Sequence, residues 1–166
     1  MDTNMSLNLE LAQIAWVVKD VAATKKYFEE VMGVKNFGNI GTTHMKDFKA
    51  TYYGKPSEGE TLVAQTYAGG TFIELIQSVK GDSIFQDYID ANPAGGMHHI
   101  AYRLPIEELD KKIADFESKG YPVISSFDTA IAMIVFFDTR KEIGLYTEIM
   151  GITKEGWEMI EKMKGE

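Results

Sequence analysis

The sequence predicts an α+β fold: two tandem βαβββ modules forming one curved mixed sheet around a cleft. Three observations predict it. The same succession of strand-like and helix-like segments occurs twice along the chain. Two short motifs recur in the same order near the ends of each half. The 166 residues, 45% hydrophobic and 25% charged, suit one ordinary globular domain rather than a disordered, collagenous or coiled-coil chain.

The elements follow in order. Residues 11–18 (LAQIAWVV) form an apolar run of strand length. Asp20 is an N-cap residue type, and Val21, Phe28, Val31 and Met32 make a helical stripe that stops at Gly33. Strands are expected at about 46–54, 61–68 and 71–77, with Gly69 and Gly70 as a tight hairpin between the last two. A linker follows, with a short helix at 82–88 and a Pro/Gly-rich stretch. The order then restarts. Residues 97–104 (MHHIAYRL) read as a strand, and Pro105 opens a helix with Ile106, Leu109, Ile113 and Phe116 on one face, ended by Gly120. Strands are expected at about 121–126, 130–138 and 143–150. The expected organisation is a single domain over 1–166: module one at about 10–78, a linker at 79–95, module two at about 96–151, and an amphipathic helix at 153–164 anchored by Trp157 and Ile160.

The halves also match by residue. QIAW at 13–16 lies over HIAY at 99–102, a separation of 86 (99 − 13), which also superposes Lys25-Lys26 on Lys111-Lys112. FIELI at 72–76 lies over YTEIM at 146–150, a separation of 74 (148 − 74). Composition then excludes several functions. With no cysteine, the chain has no disulfides, thiolate metal sites or thiol nucleophile. Lys and Arg number 17 against 25 Asp and Glu, a net charge of −8, which argues against nucleic acid as a partner. No apolar run approaches the roughly 20 residues of a bilayer span, so no membrane is expected. MDTNMSLNLE has neither a basic nor an apolar region of a signal peptide, and the expected compartment is cytoplasmic.

Pairing two such modules makes equivalent positions face one another. Gln13 then meets His99, and Glu74 meets Glu148, each in the middle of an apolar strand. A lone Glu in a strand more often faces solvent, and a lone His is more often a core residue. Here, however, four metal-capable residues occupy equivalent positions in both halves. Buried carboxylates need a partner, and a divalent cation with nitrogen and oxygen ligands would resolve two carboxylates, an imidazole and an amide together. Strand alternation points His99 inward with Gln13 and turns His98 away. His44, in GNIGTTHM, is expected in a loop, solvated or at the cleft rim.

These segments resemble the vicinal-oxygen-chelate superfamily, which holds glyoxalase I, methylmalonyl-CoA epimerase, extradiol dioxygenases and bleomycin-resistance proteins. The resemblance rests on LAQIAWVVKDVAATKKYFEEVMGV, TFIELIQ, GGMHHIAYRL, FESKGYPVI and VFFDTRKEIGLYTEI, and spans about residues 10–151. GMHHIA and the Glu of the last strand look most like the methylmalonyl-CoA epimerase and glyoxalase-like branch. Carried over, the metal ligands would be Gln13, Glu74, His99 and Glu148, holding one divalent ion (Co, Ni, Mn, Zn or Mg). Epimerases of that branch have His where Gln13 stands and often Gln where Glu74 stands. The set Gln-Glu-His-Glu is instead similar to that of one class of glyoxalase I. The resemblance also implies module pairing within or between chains, and a homodimer is expected.

The implied activity is a metal-dependent epimerase, racemase or isomerase that removes a proton next to a carbonyl or thioester group. A glyoxalase I-like lyase and a non-catalytic, bleomycin-resistance-type binder of a small molecule are the alternatives. Glu148 is the first candidate for the base and Glu74 the second. Residues of matching strand parity, Ala15, Gln65, Phe72, Ala101 and Tyr146, are expected to wall the pocket for a small-molecule carbonyl or thioester substrate. Phe136, Tyr52 and Tyr53 are further candidates of unassigned facing.

Overall fold

A computed structural model describes residues 9–164. The N-terminal segment whose composition bears on a signal peptide lies almost wholly outside the described residues. Strand β1 (Glu10–Val17) leads into α1 (Val21–Glu30), which Asp20 caps by accepting from the Ala23 N–H at 2.9 Å. Then come β2 (Gly41–His44), a 3₁₀ turn, the two-residue strands β3 (Thr51–Tyr52) and β4 (Lys55–Pro56), β5 (Glu60–Ala68) and β6 (Thr71–Lys80). The linker carries α2 (Ile84–Ala91). The second half runs β7 (Gly96–Pro105), α3 (Leu109–Ser118), β8 (Val123–Asp128), β9 (Ala132–Phe137), the short α4 (Arg140–Ile143) and β10 (Tyr146–Ile152), and α5 (Lys154–Lys164) closes the described chain.

All ten strands join one mixed sheet, in the order β2-β5-β6-β1-β7-β10-β9-β8-β3-β4. Each half contributes the same local order, with its first and last long strands parallel (β1 with β6, β7 with β10) and the intervening hairpin antiparallel. The halves meet where β1 runs antiparallel to β7, Ile14 opposite Ile100. Those two residues are themselves 86 apart, so the seam's centre is the pseudo-symmetry axis of the duplication. Only six residues separate the end of β2 from the start of β3, yet these strands lie near opposite ends of the sheet order. The sheet is therefore curled until its ends approach, and Met45, 1% exposed, fills the join. Gly69 and Gly70 both have positive φ, as a two-residue type I′ hairpin requires.

The structure departs from the expected elements in four places. The edge strand of the first half is Gly41–His44, in the Gly/Thr-rich stretch expected to be loop, because it pairs with β5. The expected strand at 46–54 is instead a 3₁₀ turn followed by β3, which crosses to pair with β8 of the second half. Val31 and Met32 lie beyond the end of α1 and are exposed, whereas Val21 and Phe28 do pack against Leu75 and Ala64. Arg140–Ile143 is helical where the last strand was expected to begin. No helix among the described residues is long and apolar enough to cross a membrane.

The start of β7 depends on one glycine. Gly95 has φ +75°, and a Cβ there would come within 2.7 Å of the Val17 carbonyl oxygen. Gly95→Ala should therefore lower stability by at least about 1–3 kcal/mol, read as a fall in the urea midpoint. An unchanged midpoint would contradict this packing.

Candidate functional site

The curled sheet leaves a cleft of about 410 Å³ on its concave side, and at one end the four residues singled out from the duplication come together. Gln13 on β1 and His99 on β7 flank the seam, while Glu74 on β6 and Glu148 on β10 come from the next strands out. The Gln13 amide nitrogen donates to Glu74 Oε2 at 2.7 Å and stands 3.1 Å from His99 Nε2. His99 Nε2 lies 2.8 Å from Glu148 Oε2 and 3.6 Å from Glu74 Oε2. Gln65 Nε2 donates to Gln13 Oε1 at 2.8 Å. Gln13, His99 and Glu148 are buried, and Glu74 is the most accessible of the four.

His98 does not face away, contrary to simple alternation. The register along the seam slips by one residue in each strand, passing over Ala12 in β1 and His98 in β7. These positions are again 86 apart (98 − 12), so both halves bulge immediately before Gln13 and before His99. A bulge re-aims the extra side chain. It turns His98 inward, fully buried, with Nδ1 2.8 Å from His99 Nδ1. Phe85 and Tyr88 of α2 and Tyr146 of β10 pack around it. The signal was present as two adjacent histidines, but a bulge is invisible to a period of two.

Protonation follows from these contacts. Burial drives His98 well below the usual histidine value, so it is neutral. Its Nε2 lies 3.3 Å from the Ile84 carbonyl oxygen, which can only accept. The proton therefore sits on Nε2, and His98 Nδ1 accepts from the Nδ1–H of His99. Burial also opposes charge on His99, but the carboxylates of Glu148 and Glu74 outweigh it and lift its pKa to about 9. The same burial raises the Glu148 carboxyl above the ordinary value. The cluster thus holds an imidazolium between two carboxylates, its Nε2 aimed at the cleft by His98 from behind.

Among the described residues, His, Asp and Glu side chains alone compose no ready metal cluster; here they are hydrogen-bonded to one another and completed by an amide. The donor set nevertheless fits a cation. Neighbouring ligands of an octahedral ion with bonds of roughly 2.1 Å lie about 3 Å apart, and the contacts between 2.7 and 3.6 Å straddle that spacing. Two changes would admit the ion: loss of the His99 Nε2 proton, and a half-turn of the Gln13 amide to present its oxygen. Gln65 can turn with Gln13 and keep their mutual hydrogen bond.

Of the expected pocket residues, Gln65 and Phe72 line the cleft, as does Phe136, whose ring meets His99 edge-on at 5.1 Å. Ala15, Ala101 and Tyr146 do not. Each is completely buried, because parity sets the face of a strand but not the depth along it, and α2 fills that end of the curl. Tyr146 instead stacks on His98 beneath the Arg140 guanidinium. Tyr52 hydrogen-bonds Asp87 on α2, Tyr53 is half exposed, and His44 pairs with Glu60 at 3.1 Å. None of these three lines the cleft.

Residues 12–137 match the family model of the glyoxalase/bleomycin resistance protein/dioxygenase superfamily. No curated protein matches the sequence at a significant level. Among solved structures, the fold is similar to a hypothetical protein from Bacillus halodurans C-125 (TM-score 0.61, 17% identity, covering 89% of this chain and 95% of that one). It is also similar to methylmalonyl-CoA epimerase from Mycobacterium tuberculosis (0.61, 15%, 89% and 90%). A third is a Streptomyces coelicolor methylmalonyl-CoA epimerase variant in complex with 2-nitronate-propionyl-CoA (0.59, 19%, 87% and 93%).

The raised pKa of His99 has a consequence for stability. Its folded value of about 9 exceeds the ordinary 6.5, so its contribution is complete below pH 6.5 and is lost as pH rises through about 9. Protein stripped with a chelator should show a melting temperature that falls between pH 6.5 and 9.5, and Glu148→Gln should flatten that fall. A flat profile for the parent chain over this window would contradict the assignment.

Proposed function

Because the chain belongs to the glyoxalase/bleomycin resistance protein/dioxygenase superfamily, we propose that it is a metal-dependent epimerase or isomerase moving a proton at the carbon next to a carbonyl or thioester group. One observation carries this reading: two carboxylates from equivalent strands of the two halves meet an imidazole and an amide at one end of an otherwise apolar cleft. Gln13, Glu74, His99 and Glu148 would hold the divalent ion. When bound, that ion supplies a Lewis acid for the substrate oxygen on which negative charge develops.

The chain's own residues supply the proton handling. Glu148, buried at the polar end of the cleft beside Phe136, is placed to take a proton from a carbon acid out of reach of bulk water. Glu74 belongs to the other half of the sheet. A pair of carboxylates reaching the substrate from two strands on either side of the seam can remove a proton at one face and return it at the other. Phe85 and Phe136 line the cleft beside them and limit water at the reacting carbon. A glyoxalase I-like lyase acting on a thiohemiacetal is the second reading, favoured by the Gln-Glu-His-Glu combination. It needs the same proton transfer and differs in the substrate.

Glu148→Gln should slow exchange of the substrate α-proton into deuterated water by about 10²–10⁴-fold while the circular dichroism spectrum is kept. Wild-type exchange in that variant would overturn the role of Glu148. Parent protein with metal added that exchanges no α-proton on any acyl-CoA, thiohemiacetal or ketone would favour a non-catalytic binder.

A further inference from the structure

The walls of the cleft say what kind of molecule it takes. Its volume of about 410 Å³ falls within the roughly 300–1,000 Å³ of small-molecule sites. Among the described residues, its ionisable lining groups are Glu74 and Glu148, both at the polar end, and no Lys or Arg lines it. The opposite walls are Ile131, Ile134, Met150, Ile152, Met159 and Ile160, from β9, β10, the turn before β9, and α5.

Helix α5 is built as part of this wall rather than laid loosely over it. Gly156 lets it sit directly on the sheet, since a Cβ there would come within 2.6 Å of the Ile131 carbonyl oxygen and 2.7 Å of Ile152 Cγ2. Ile160 packs with Ala132 and Ile152, and the Trp157 ring lies under the Arg103 guanidinium at 5.5 Å. Met159 and Met163 remain partly exposed along the cleft, where flexible thioethers can adapt to an apolar guest.

We propose that the cleft binds an uncharged, hydrophobic carbonyl compound, its oxygen at the Gln13–Glu74–Glu148 end and its apolar body between β9 and α5. The oxygen's destination rests on the proton-transfer reading above; the apolar body rests on the lining alone. Away from the polar end, a phosphate or carboxylate would lie among Ile and Met side chains, with no Lys or Arg among the described lining residues to pair with, in a chain of net charge −8. The compound is therefore a ketone or similar neutral carbonyl with an alkyl or aryl chain, not a coenzyme A thioester or a glutathione adduct.

The test titrates the full chain, with added metal, against 2-alkanones of increasing length and against acyl-CoA thioesters of matching acyl chains. Tryptophan fluorescence reads binding, and α-proton exchange is followed separately on the same compounds. Ketone Kd should fall about fourfold per added methylene, from roughly 0.8 kcal/mol per buried CH₂, until the cleft is full. The matched thioesters should bind at least tenfold more weakly. Met159→Lys, at a partly exposed position, should weaken the longer ketones several-fold. Ketone affinity independent of chain length, thioesters that bind more tightly, or a Met159→Lys variant with unchanged affinity would overturn the proposal. Length-dependent ketone binding without α-proton exchange would uphold the ligand class and sink the proton-transfer function. Exchange on acyl-CoA without ketone binding would do the reverse.

Discussion

A charged imidazole between two carboxylates at the end of an apolar cleft is costly to bury and is tolerated only because each member answers another. Removing one partner from such a set leaves an unpaired buried charge. The rest of the molecule is arranged around this constraint. Glu148 and His99 are in direct contact, the Gln13 amide nitrogen donates to Glu74, and Gln65 donates to the Gln13 amide oxygen. Behind them, the Ile84 carbonyl fixes the tautomer of His98, which fixes the direction in which His99 presents its Nε2. The same contacts that stabilise the cluster as an ion pair hold its nitrogen and oxygen atoms near the spacing that the proposed cation site needs.

The seam between β1 and β7 makes this possible. Antiparallel pairing of equivalent strands places Ile14 against Ile100 and brings position 13 close to position 99 without any long loop. Matching bulges at Ala12 and His98 then adjust both strands just before the functional residue. Helix α2, from the linker, fills one end of the curled sheet and supplies both the Ile84 carbonyl and the Phe85 ring. Helix α5 walls the cleft with Met159 and Ile160. The two segments outside the repeated units thus shape the cleft that the repeats create.

Much of this was legible in the residues. The duplication predicted the convergence of Gln13, Glu74, His99 and Glu148 because symmetry places equivalent positions together whatever the detailed register. Alternation alone turns His98 away from the cleft, but a bulge breaks the period of two on which side-chain facing rests. Ala15, Ala101 and Tyr146 lie on the right face but too deep, since depth depends on α2, whose packing has no periodic signature. The edge strand at 41–44 is short and rich in Gly and Thr, and only its pairing with β5 makes it a strand. β3 pairs with β8, some 75 residues away, a contact that local pattern does not encode.

Gln13, Glu74, His99 and Glu148 are proposed as one divalent metal site. Its most direct measurement is X-ray absorption of the purified, metal-loaded chain, with stoichiometry by elemental analysis. One ion per chain is expected, with a single imidazole nitrogen, the remaining ligands oxygen and no sulfur. The signal should be lost together in His99→Ala and Glu148→Ala. No stoichiometric ion, or an ion retained unchanged in both variants, would contradict the proposed site.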